Sequence, residues 1–419
     1  MSDIGYRRCC GMDVHKDTVV VCVLPPDGQT GTVVRKTYGT FRNDLSRMRG
    51  WLKLLRVTDI AMESTGVYWR PLWNILEDQG FRLLLVNPAQ VKALQGRKSD
   101  GRDAKRIAEF LQDGRLDPSF VPPQPTRELR QMLRHRLSLL QQRGEAHNQI
   151  RDLFETANIK LSSVVSDLLG VSGRRIIQAM IAGEDSPELL SWKLRGKLRK
   201  KEKLVRESLK GCFHEFHRLM LKGHYALYEF LSAQIQELES EIQRRMEPYA
   251  EQIAGLMTIP GVEQIVAWHL IAELGVDMSV FPDAAHCASW AGLSPGECES
   301  AGKQFSGRTK KGNKYLRRVL AQAAWATSHC KDGYLRAFFH RVKARRGWGK
   351  AVIAVAHKIL VIAYSILKTG VPYQELGGDY FDKLHPERTA RRLVKRLERL
   401  GLSVALAPSQ QLNPTFGEN

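Results

Sequence analysis

The sequence predicts an α/β amino-terminal domain, a helical coiled-coil-like middle region and a mostly α-helical carboxy-terminal domain. Between Arg8 and Val121, short apolar runs alternate with stretches of helical periodicity, a pattern typical of a sheet covered by helices. A polar helical region follows, and beyond Gly255 short helical stretches are separated by Gly-rich turns. With 419 residues, the chain is long enough for two or three domains, each with its own core.

The amino-terminal elements follow from the apolar runs and from the turn residues that bound them. We expect a meander of strands over residues 9–41, because the apolar stretch 9–24 is interrupted at residues 13–17 and ends at a Pro-Pro-Asp-Gly turn. Further predicted elements are a helix over 45–55, a strand over 59–62, a helix over 72–78, a strand over 81–86 and a helix over 104–111.

The middle region begins after a linker marked by Pro118, Pro122, Pro123 and Pro125. Residues 127–161 are predicted to be helical, and residues 194–205 form a dense basic run. A later stretch has apolar residues at three- and four-residue steps, which indicates a helical seam: Tyr228, Leu231, Ile235, Leu238 and Ile242. Either the chain's own domain or a helix of a second subunit covers this seam, and the sequence leaves both alternatives open.

These patterns divide the chain into four regions. Residues 1–125 form the α/β domain, 126–250 the helical linker and coiled-coil region, and 251–385 the carboxy-terminal domain with its Gly-rich turns. Residues 386–419 form a basic tail, which carries Arg388, Arg391, Arg392, Lys395, Arg396 and Arg399.

Charge and composition restrict the class of partner. The formal net charge of +20 favours a polyanion, and the separated Lys and Arg clusters favour nucleic acid over a membrane surface. No stretch approaches the roughly 20 apolar residues that span a bilayer, and the first residues lack a secretory pattern, so we expect a cytoplasmic protein. The seven cysteines lack paired C-x-x-C spacing, which argues against a disulfide framework or a zinc site.

Four acidic residues of the α/β domain stand where strands end or helices begin. Asp13 lies within the first apolar strand and Glu63 ends a later one, while Asp100 and Asp103 flank the start of a helix. An acid in an apolar strand loses several kcal/mol of solvation unless a cation lies beside it, and a divalent metal such as Mg²⁺ prefers such oxygen ligands. The alternative for Glu63, Asp100 and Asp103 is helix capping. Asp17 is the residue most easily mistaken for a ligand.

Three sequence blocks carry a family resemblance. Gly11-Met12-Asp13-Val14-His15-Lys16, residues 61–66 (AMESTG) and residues 98–104 (KSDGRDA) resemble the blocks of the DEDD transposases, the insertion-sequence family guided by a bridge RNA. The resemblance implies an RNase H/RuvC-like fold. It also implies that Asp13, Glu63, Asp100 and Asp103 bind Mg²⁺ or Mn²⁺.

A serine-containing segment extends the resemblance to the carboxy-terminal domain. Residues 291–295 (AGLSP), 300–303 (SAGK) and 310–318 (KKGNKYLRR) resemble the second block of the same transposases. The resemblance implies that Ser300 is a nucleophile that forms a covalent link to DNA. Ser306 is the rival, and a loop serine bonded to its own backbone is the structural alternative. The turn at residues 258–262 (TIPGV) resembles half of a helix-hairpin-helix, which would offer N–H groups to a phosphate.

Basic residues near the serine and in the middle region are candidates for phosphate contacts. Those near the serine are Lys303, Arg308, Lys310, Lys311, Lys314, Arg317 and Arg318. Those of the middle region include Lys197, Arg199, Lys200 and Lys201. A third group, between Arg341 and Lys350, includes Trp348, which can stack on a base. The alternative for each run is a solvated helix face.

The sequence therefore predicts a DNA transposase or recombinase that performs metal-assisted phosphoryl transfer and strand exchange. Its expected partners are donor and target DNA, a structured guide RNA and further copies of itself as a dimer or tetramer, without a membrane. The expected location is the cytoplasm, in association with the nucleoid. The main alternative is a RuvC-like junction-resolving endonuclease without a covalent intermediate. An ATP-dependent sugar-kinase-like or actin-like enzyme is less favoured, since no Gly-rich phosphate turn follows Asp13. A further alternative is a nucleic-acid-packaging protein without activity, which metal-dependent activity would exclude.

Overall fold

The computed structural model describes residues 8–26, 31–64, 66–88, 90–91, 103–294, 299–300, 303–304, 309 and 312–405, with residues 299–300 and 303–304 described by their backbone. The chain divides into two compact units, Met1–Arg127 and Glu128–Asn419. The first unit is α/β and the second is mostly helical, which confirms the predicted fold class at this level.

A five-stranded mixed sheet forms the centre of the first unit. Its strands are β1 (Cys9–Val14), β2 (Thr18–Val23), β3 (Val34–Gly39), β4 (Asp59–Glu63) and β5 (Arg82–Val86), in the order β3-β2-β1-β4-β5. Strands β1, β2 and β3 form an antiparallel meander, whereas β4 is parallel to β1 and β5 is parallel to β4. The meander and both later strands lie where the apolar runs predict them.

Helices cover both faces of this sheet. The helices α1 (Arg42–Leu54) and α2 (Trp69–Leu76) bury Met48, Leu52 and Leu72 against one face. The helix α3 (Asp103–Gln112) buries Ile107 and Leu111 against the other face. Side chains of a strand alternate between faces, so Cys10 and Met12 of β1 point toward α1 and α2, while Cys9 belongs to the α3 side.

The second unit is built from helices of very different lengths. Its longest helices are α4 (Gln124–Thr156), which begins at the end of the first unit, and α9 (Glu215–Met246). The remaining helices are α5 (Leu161–Val164), α6 (Val171–Ile181), α7 (Pro187–Ser191), α8 (Glu202–Ser208), α10 (Ala250–Met257), α11 (Gln264–Leu274), α12 (Ala284–Trp290), α13 (Lys314–Thr327), α14 (Tyr334–Arg346), α15 (Trp348–Thr369), α16 (Tyr380–Leu384) and α17 (Pro386–Glu398). Short 3₁₀ helices span Gly196–Lys201, Glu247–Tyr249 and Met278–Val280, and a two-stranded ribbon pairs β6 (Glu299–Ser300) with β7 (Lys303–Gln304).

The apolar seam of α9 packs on the chain's own long helix. Leu231 and Ile235 are buried together with Leu139 of α4. Ion pairs join Arg245 to Glu128 and Arg136 to Glu239, so residue numbers rise along α4 as they fall along α9. The two helices therefore form an antiparallel hairpin, which is the first of the two alternatives for the seam.

The helix α15 contradicts two expectations from the sequence. It has 22 residues, although short helices are predicted beyond Gly255, and by length and composition it is the one helix in the described part of the chain that could cross a membrane. Half of its apolar window is buried, and Val355, Ile359 and Ala363 are fully enclosed. This is the pattern of a core helix, on which other helices pack from several sides.

Candidate functional site

Two of the predicted metal ligands lie side by side at one edge of the sheet. The parallel register of β1 and β4 pairs Met12 with Met62, so the next residues along the two strands are Asp13 and Glu63. Residues at the same level of neighbouring strands lie about 5 Å apart and point to the same face. Both acids therefore stand at the carboxyl ends of adjacent parallel strands, on the face covered by α3.

A glycine allows the helix that begins with the third acid to lie against the same face. A Cβ atom built on Gly11 would lie 2.1 Å from the carbonyl oxygen of Ala104 and 2.5 Å from the backbone nitrogen of Ala108, so the first turns of α3 lie directly on β1. Asp103 is the first residue of this helix. Asp13 follows Gly11 by two residues and shares its face. The fold thus places the start of α3 beside the strand that carries Asp13.

The described residues do not yet form a complete metal site. In the part of the chain that the structure describes, no group of three His, Cys, Asp or Glu side chains lies close enough to hold a metal ion. Asp100 lies outside the described residues. Asp17 is exposed in the turn after β1. The carboxylate oxygens of the described acids are the hard donors that Mg²⁺ or Mn²⁺ prefers. Asp100 would be the fourth acid of such a site.

A histidine accompanies Asp13. The His15 Nε2 atom lies 3.1 Å from the Oδ2 atom of Asp13, and the imidazole is exposed while the carboxylate is partly buried. His15 belongs to the same sequence block as Asp13 but is not among the predicted site residues. The two-residue spacing was the sequence signal for this contact.

The predicted nucleophile Ser300 lies on the β-ribbon of the second unit. Ser300 pairs with Lys303 across an antiparallel ladder, so it ends the first strand of a β-hairpin. Ser306, Arg308, Lys310 and Lys311 lie outside the described residues, and of Ser300 and Lys303 the backbone alone is described. The structure therefore gives the position of Ser300 in the chain fold, and its chemistry remains a prediction.

The residues that precede and follow the segment with this hairpin touch each other, and we call this contact the closed stem. A Cβ atom on Gly312 would lie 2.3 Å from the backbone nitrogen of Gly292, so the two backbones touch. The N–H of Asn313 donates to the carbonyl oxygen of Trp290 at 3.4 Å. The described residues on the two sides of this segment therefore touch each other, and α13 begins immediately after Asn313.

A buried carboxylate holds the start of α13, and sequence reasoning missed it. Glu273, 1% exposed, accepts two hydrogen bonds from the Arg134 guanidinium at 2.7 and 2.8 Å and one from the Asn313 side-chain amide at 2.6 Å. The Asn313 Oδ1 atom in turn accepts from the N–H groups of Tyr315 and Leu316, which caps α13. We call Glu273, Arg134 and Asn313 the stem cluster.

Arg130 reinforces the stem cluster from the same long helix. Its guanidinium donates to the carbonyl oxygens of Ala272 and Glu273 at 3.0 and 2.8 Å, and thereby satisfies the last carbonyls of α11. A signal for this cluster existed in the sequence: Glu273 is a single acid within the apolar helix Gln264–Leu274. The desolvation argument that singled out Asp13 applies to it equally.

One turn earlier on α11, His269 is fully buried, and neither of its ring nitrogens has a hydrogen-bond partner among the residues that the structure describes. Burial lowers its pKa to about 4 although Glu273 opposes this shift, and the positive charges of Arg136, Arg134 and Arg318 add to it. His269 is therefore neutral near pH 7.

The described basic candidates lie on the surface of the second unit. Lys197, Arg199, Lys200 and Lys201 are exposed along one 3₁₀ helix. Lys314 and Arg318 are exposed in the first turns of α13, and Arg317 is partly buried there. Their exposure is compatible with phosphate contacts.

The turn at residues 258–262 is used for packing. A Cβ atom on Gly261 would lie 2.4 Å from the Thr327 hydroxyl oxygen, and that hydroxyl donates to the carbonyl oxygen of Pro260. The N–H of Val262 is bonded to the carbonyl oxygen of Ile259. The turn between α10 and α11 is thus closed by α13, which leaves little room for a phosphate.

Comparisons with known proteins identify two family models that match this sequence. A family model of transposases, of the DEDD type named for IS110, matches residues 10–159, and a model of the IS116/IS110/IS902 transposase family matches residues 254–340. The first match contains the three described acids, and the second contains the stem cluster residues Glu273 and Asn313 together with Ser300.

Curated relatives match over different lengths. A "pilin gene-inverting protein" of Moraxella bovis is 22% identical over 87% of this chain and 97% of its own length. An insertion element IS110 protein of Streptomyces coelicolor is 30% identical, and the pilin gene-inverting protein of Moraxella lacunata is 32% identical. These two matches span 34% and 38% of the relatives' own lengths.

Proposed function

Because this chain belongs to the IS110 family of transposases, we propose that it is a DNA transposase or recombinase that cuts and rejoins phosphodiester strands. One observation carries the proposal: Asp13 and Glu63 lie near the carboxyl ends of adjacent parallel strands, on the face against which α3 packs, and α3 begins with Asp103. Acids gathered at one sheet edge are suited to hold the metal ions that phosphoryl transfer uses. The names of the Moraxella relatives, which refer to gene inversion, agree with strand exchange as the outcome.

We further propose that the first unit has an RNase H/RuvC-like fold. In support, an antiparallel meander of three strands is extended by two parallel strands, with helices on both faces. The candidate acids lie on the central strand β1, on its parallel neighbour β4 and at the start of a helix on their common face. These are three of the four acids that the family resemblance implies as metal ligands.

Asp13, Glu63, Asp100 and Asp103 are the proposed ligands of Mg²⁺ or Mn²⁺. When bound, such ions supply charge for the attacking and leaving oxygens of the phosphodiester. The chain's own contribution is to hold the acids on a rigid sheet edge, where Gly11 permits the close approach of α3. His15 keeps Asp13 oriented through its 3.1 Å contact.

The proposed nucleophile is Ser300. Its hydroxyl oxygen forms a bond to the DNA phosphorus while the bond from phosphorus to a sugar oxygen breaks, and the proton lost by the serine is balanced by the one that the sugar oxygen gains. The closed stem of Gly292 and Gly312, fixed by the stem cluster, supports this role because it gives the serine hairpin a defined base. Ser306 is the alternative nucleophile.

The proposed partners are donor DNA, target DNA and a structured guide RNA. The net charge of +20 and the exposed basic residues of the 3₁₀ helix Gly196–Lys201 and of α13 support nucleic-acid binding. A homo-oligomer, dimer or tetramer, is also proposed, since exposed apolar residues follow one another along α9: Phe216, Leu219, Leu227 and Phe230. The proposed location is the cytoplasm, associated with the nucleoid.

Trapping of a covalent intermediate tests the function. The purified protein, with the RNA that accompanies it, is incubated with labelled donor and target DNA and Mg²⁺, and the products are separated under denaturing conditions. We expect a protein–DNA adduct and recombinant DNA from the wild type, and neither from Ser300→Ala. The Ser306→Ala variant is the matched control and should retain both.

The outcomes separate the alternatives. Cleavage without an adduct, undiminished in Ser300→Ala, would identify a junction-resolving endonuclease. An adduct that persists in Ser300→Ala and disappears in Ser306→Ala would transfer the nucleophile to Ser306. Sequencing of the copurified RNA tests the guide: a single abundant species is expected, and a random sample of cellular RNA would remove the guide RNA from the proposal.

A further inference from the structure

A cleft near the carboxy-terminal end of the second unit is lined by arginines that the catalytic proposal does not use. The helices α14, α16 and α17 border an open cavity of about 510 Å³. Arg341 and Arg345 line it from α14, and Arg388 and Arg392 line it from α17. Residues four apart share one face of a helix, so two pairs of arginines face the same cavity. We call this cavity the arginine cleft.

The cleft carries an excess of positive charge. Among the described residues that line it, the one carboxylate is Asp382, which lies 3.3 Å from the Arg392 guanidinium and also accepts from the Thr389 hydroxyl. The four guanidinium groups are always charged, so a single carboxylate leaves a net positive cavity. Like charges gathered in a cavity repel one another, and an anion that enters removes this repulsion.

The floor of the cleft is a fixed aromatic surface. The Phe381 ring packs nearly parallel to those of Tyr334 and Phe338, at centroid distances of 5.3 and 6.1 Å. The Arg341 guanidinium lies 5.2 Å from the centroid of Phe381. This contact restrains the guanidinium, so Arg341 is presented to the cavity in a held orientation.

The geometry points to a binding site for the phosphodiester backbone of a nucleic acid, and we propose that the arginine cleft contacts successive phosphates of one strand. Planar guanidinium groups bind phosphate oxygens in pairs, which lysines do not do. The charge of the whole chain favours nucleic acid over an acidic protein segment. This inference rests on the proposed nucleic-acid function and adds a site to it that is separate from the serine hairpin in sequence.

The test compares equal losses of charge inside and outside the cleft. In the cleft variant, Arg341→Gln is combined with Arg388→Gln. In the control variant, Arg346→Gln is combined with Lys343→Gln, which removes two exposed positive charges from α14 outside the cavity lining. Affinities for a labelled single-stranded RNA, a single-stranded DNA and a DNA duplex are measured over a range of salt concentrations by fluorescence anisotropy.

We expect the cleft variant to bind at least one of these probes about tenfold or more weakly, while the control changes by less than about threefold. The dependence of log K on log salt should become shallower by about 1.4 for a single strand, or about 1.8 for a duplex, if two phosphate contacts are lost. The probe that is affected most identifies the source as RNA, single-stranded DNA or duplex DNA. Arg341→Lys with Arg388→Lys should give an intermediate loss, because charge remains without paired donors.

Equal losses in the cleft and control variants would overturn the proposal, because they would show that general charge and not the cavity matters. Unchanged binding of all three nucleic acids, together with lost binding of an acidic peptide or of anionic vesicles, would overturn it in favour of another partner. The arginines are exposed or partly exposed, and thermal unfolding checks that each variant is folded. Binding is measured without strand transfer, so absence of the covalent adduct would contradict the proposed function and leave this result standing.

Discussion

Asn313 donates its side-chain amide to the buried carboxylate of Glu273 at 2.6 Å while its carbonyl oxygen caps the helix that follows. One amide thus joins the end of the serine-bearing loop to an ion pair made with the long helix α4. The position of the loop therefore depends on residues far away in sequence, since Arg134 and Glu273 are 139 residues apart. This dependence leads to a first prediction.

Glu273→Gln should destabilise the second unit. The amide keeps the size of the side chain but leaves the Arg134 guanidinium without its countercharge, and a broken buried pair costs about 3 kcal/mol. We expect a fall of that order in the free energy of unfolding, measured by urea denaturation. Glu207→Gln is the control, because Glu207 pairs with Lys210 at the surface, where the two side chains are 69% and 55% exposed. Its loss should stay below about 1 kcal/mol, and equal losses would contradict the role of the stem cluster.

Asn313→Ala should affect the covalent step more than DNA binding. The substitution removes a helix cap, which stabilises by about 1 kcal/mol, and loosens the stem that we propose positions Ser300. We expect folded protein with near-normal affinity for DNA but a yield of trapped adduct reduced at least fivefold. Asn313→Asp restores the cap but places a second carboxylate against Glu273, so it should not restore the adduct. A normal adduct yield in Asn313→Ala would show that the stem does not position the serine.

The buried His269 predicts a loss of stability in acid. Its pKa is about 4 in the folded chain and about 6.5 when unfolded, so the unfolded state binds the proton first as the pH falls. The stabilisation is complete above pH 6.5 and is lost between pH 6.5 and 4, by about 2 kcal/mol at pH 5. Unfolding free energies of wild type and His269→Leu at pH 7 and pH 5 measure this. The wild type should lose about 2 kcal/mol more than the variant, and parallel losses would assign the acid sensitivity elsewhere.

The sequence predicts the first unit better than the second. Strands β1, β4 and β5 are short apolar runs bounded by turn residues, so local pattern alone locates them. The stem cluster could not be located in this way, because its partners come from three distant helices. The length of α15 was misjudged because Lys350, Lys358 and Lys368 interrupt its apolar pattern, although tertiary contacts bury the residues between them.

The sequence identifies the candidate residues of the site but not their arrangement in space. The spacing of Asp13 and Glu63 in the sequence does not show that they end adjacent strands, since this follows from the parallel register of β1 and β4. The role of Gly11 was likewise hidden, because a glycine in a strand reveals a close backbone approach only when the approaching helix is known.

The acids at the sheet edge predict metal binding that one substitution removes. Asp13→Asn keeps the shape of the side chain but removes the charge that a divalent cation requires. We expect Mn²⁺ affinity, measured by calorimetry on the full chain, to fall more than tenfold, with loss of strand transfer. Asp17→Asn, in the exposed turn four residues later, should leave both unchanged. If Mn²⁺ binding survives Asp13→Asn but is lost in Asp17→Asn, then Asp17 and not Asp13 is the metal ligand.

Gly11→Ala should disturb the metal site without touching an acid. The added methyl group would lie 2.1 Å from the carbonyl oxygen of Ala104, a contact with backbone that no side-chain rotation relieves, so α3 must move away from β1. Overpacking of this kind costs about 2 kcal/mol, and Asp103 moves with the helix. We therefore expect a lower unfolding free energy of the first unit and weaker Mn²⁺ binding. Gly50→Ala is the matched control, because it lies in α1 with nothing within 4 Å of its added Cβ atom and should raise stability by about 0.5–1 kcal/mol. Wild-type Mn²⁺ affinity in Gly11→Ala would contradict this prediction. It would show that the metal site does not depend on the close approach of α3 to β1.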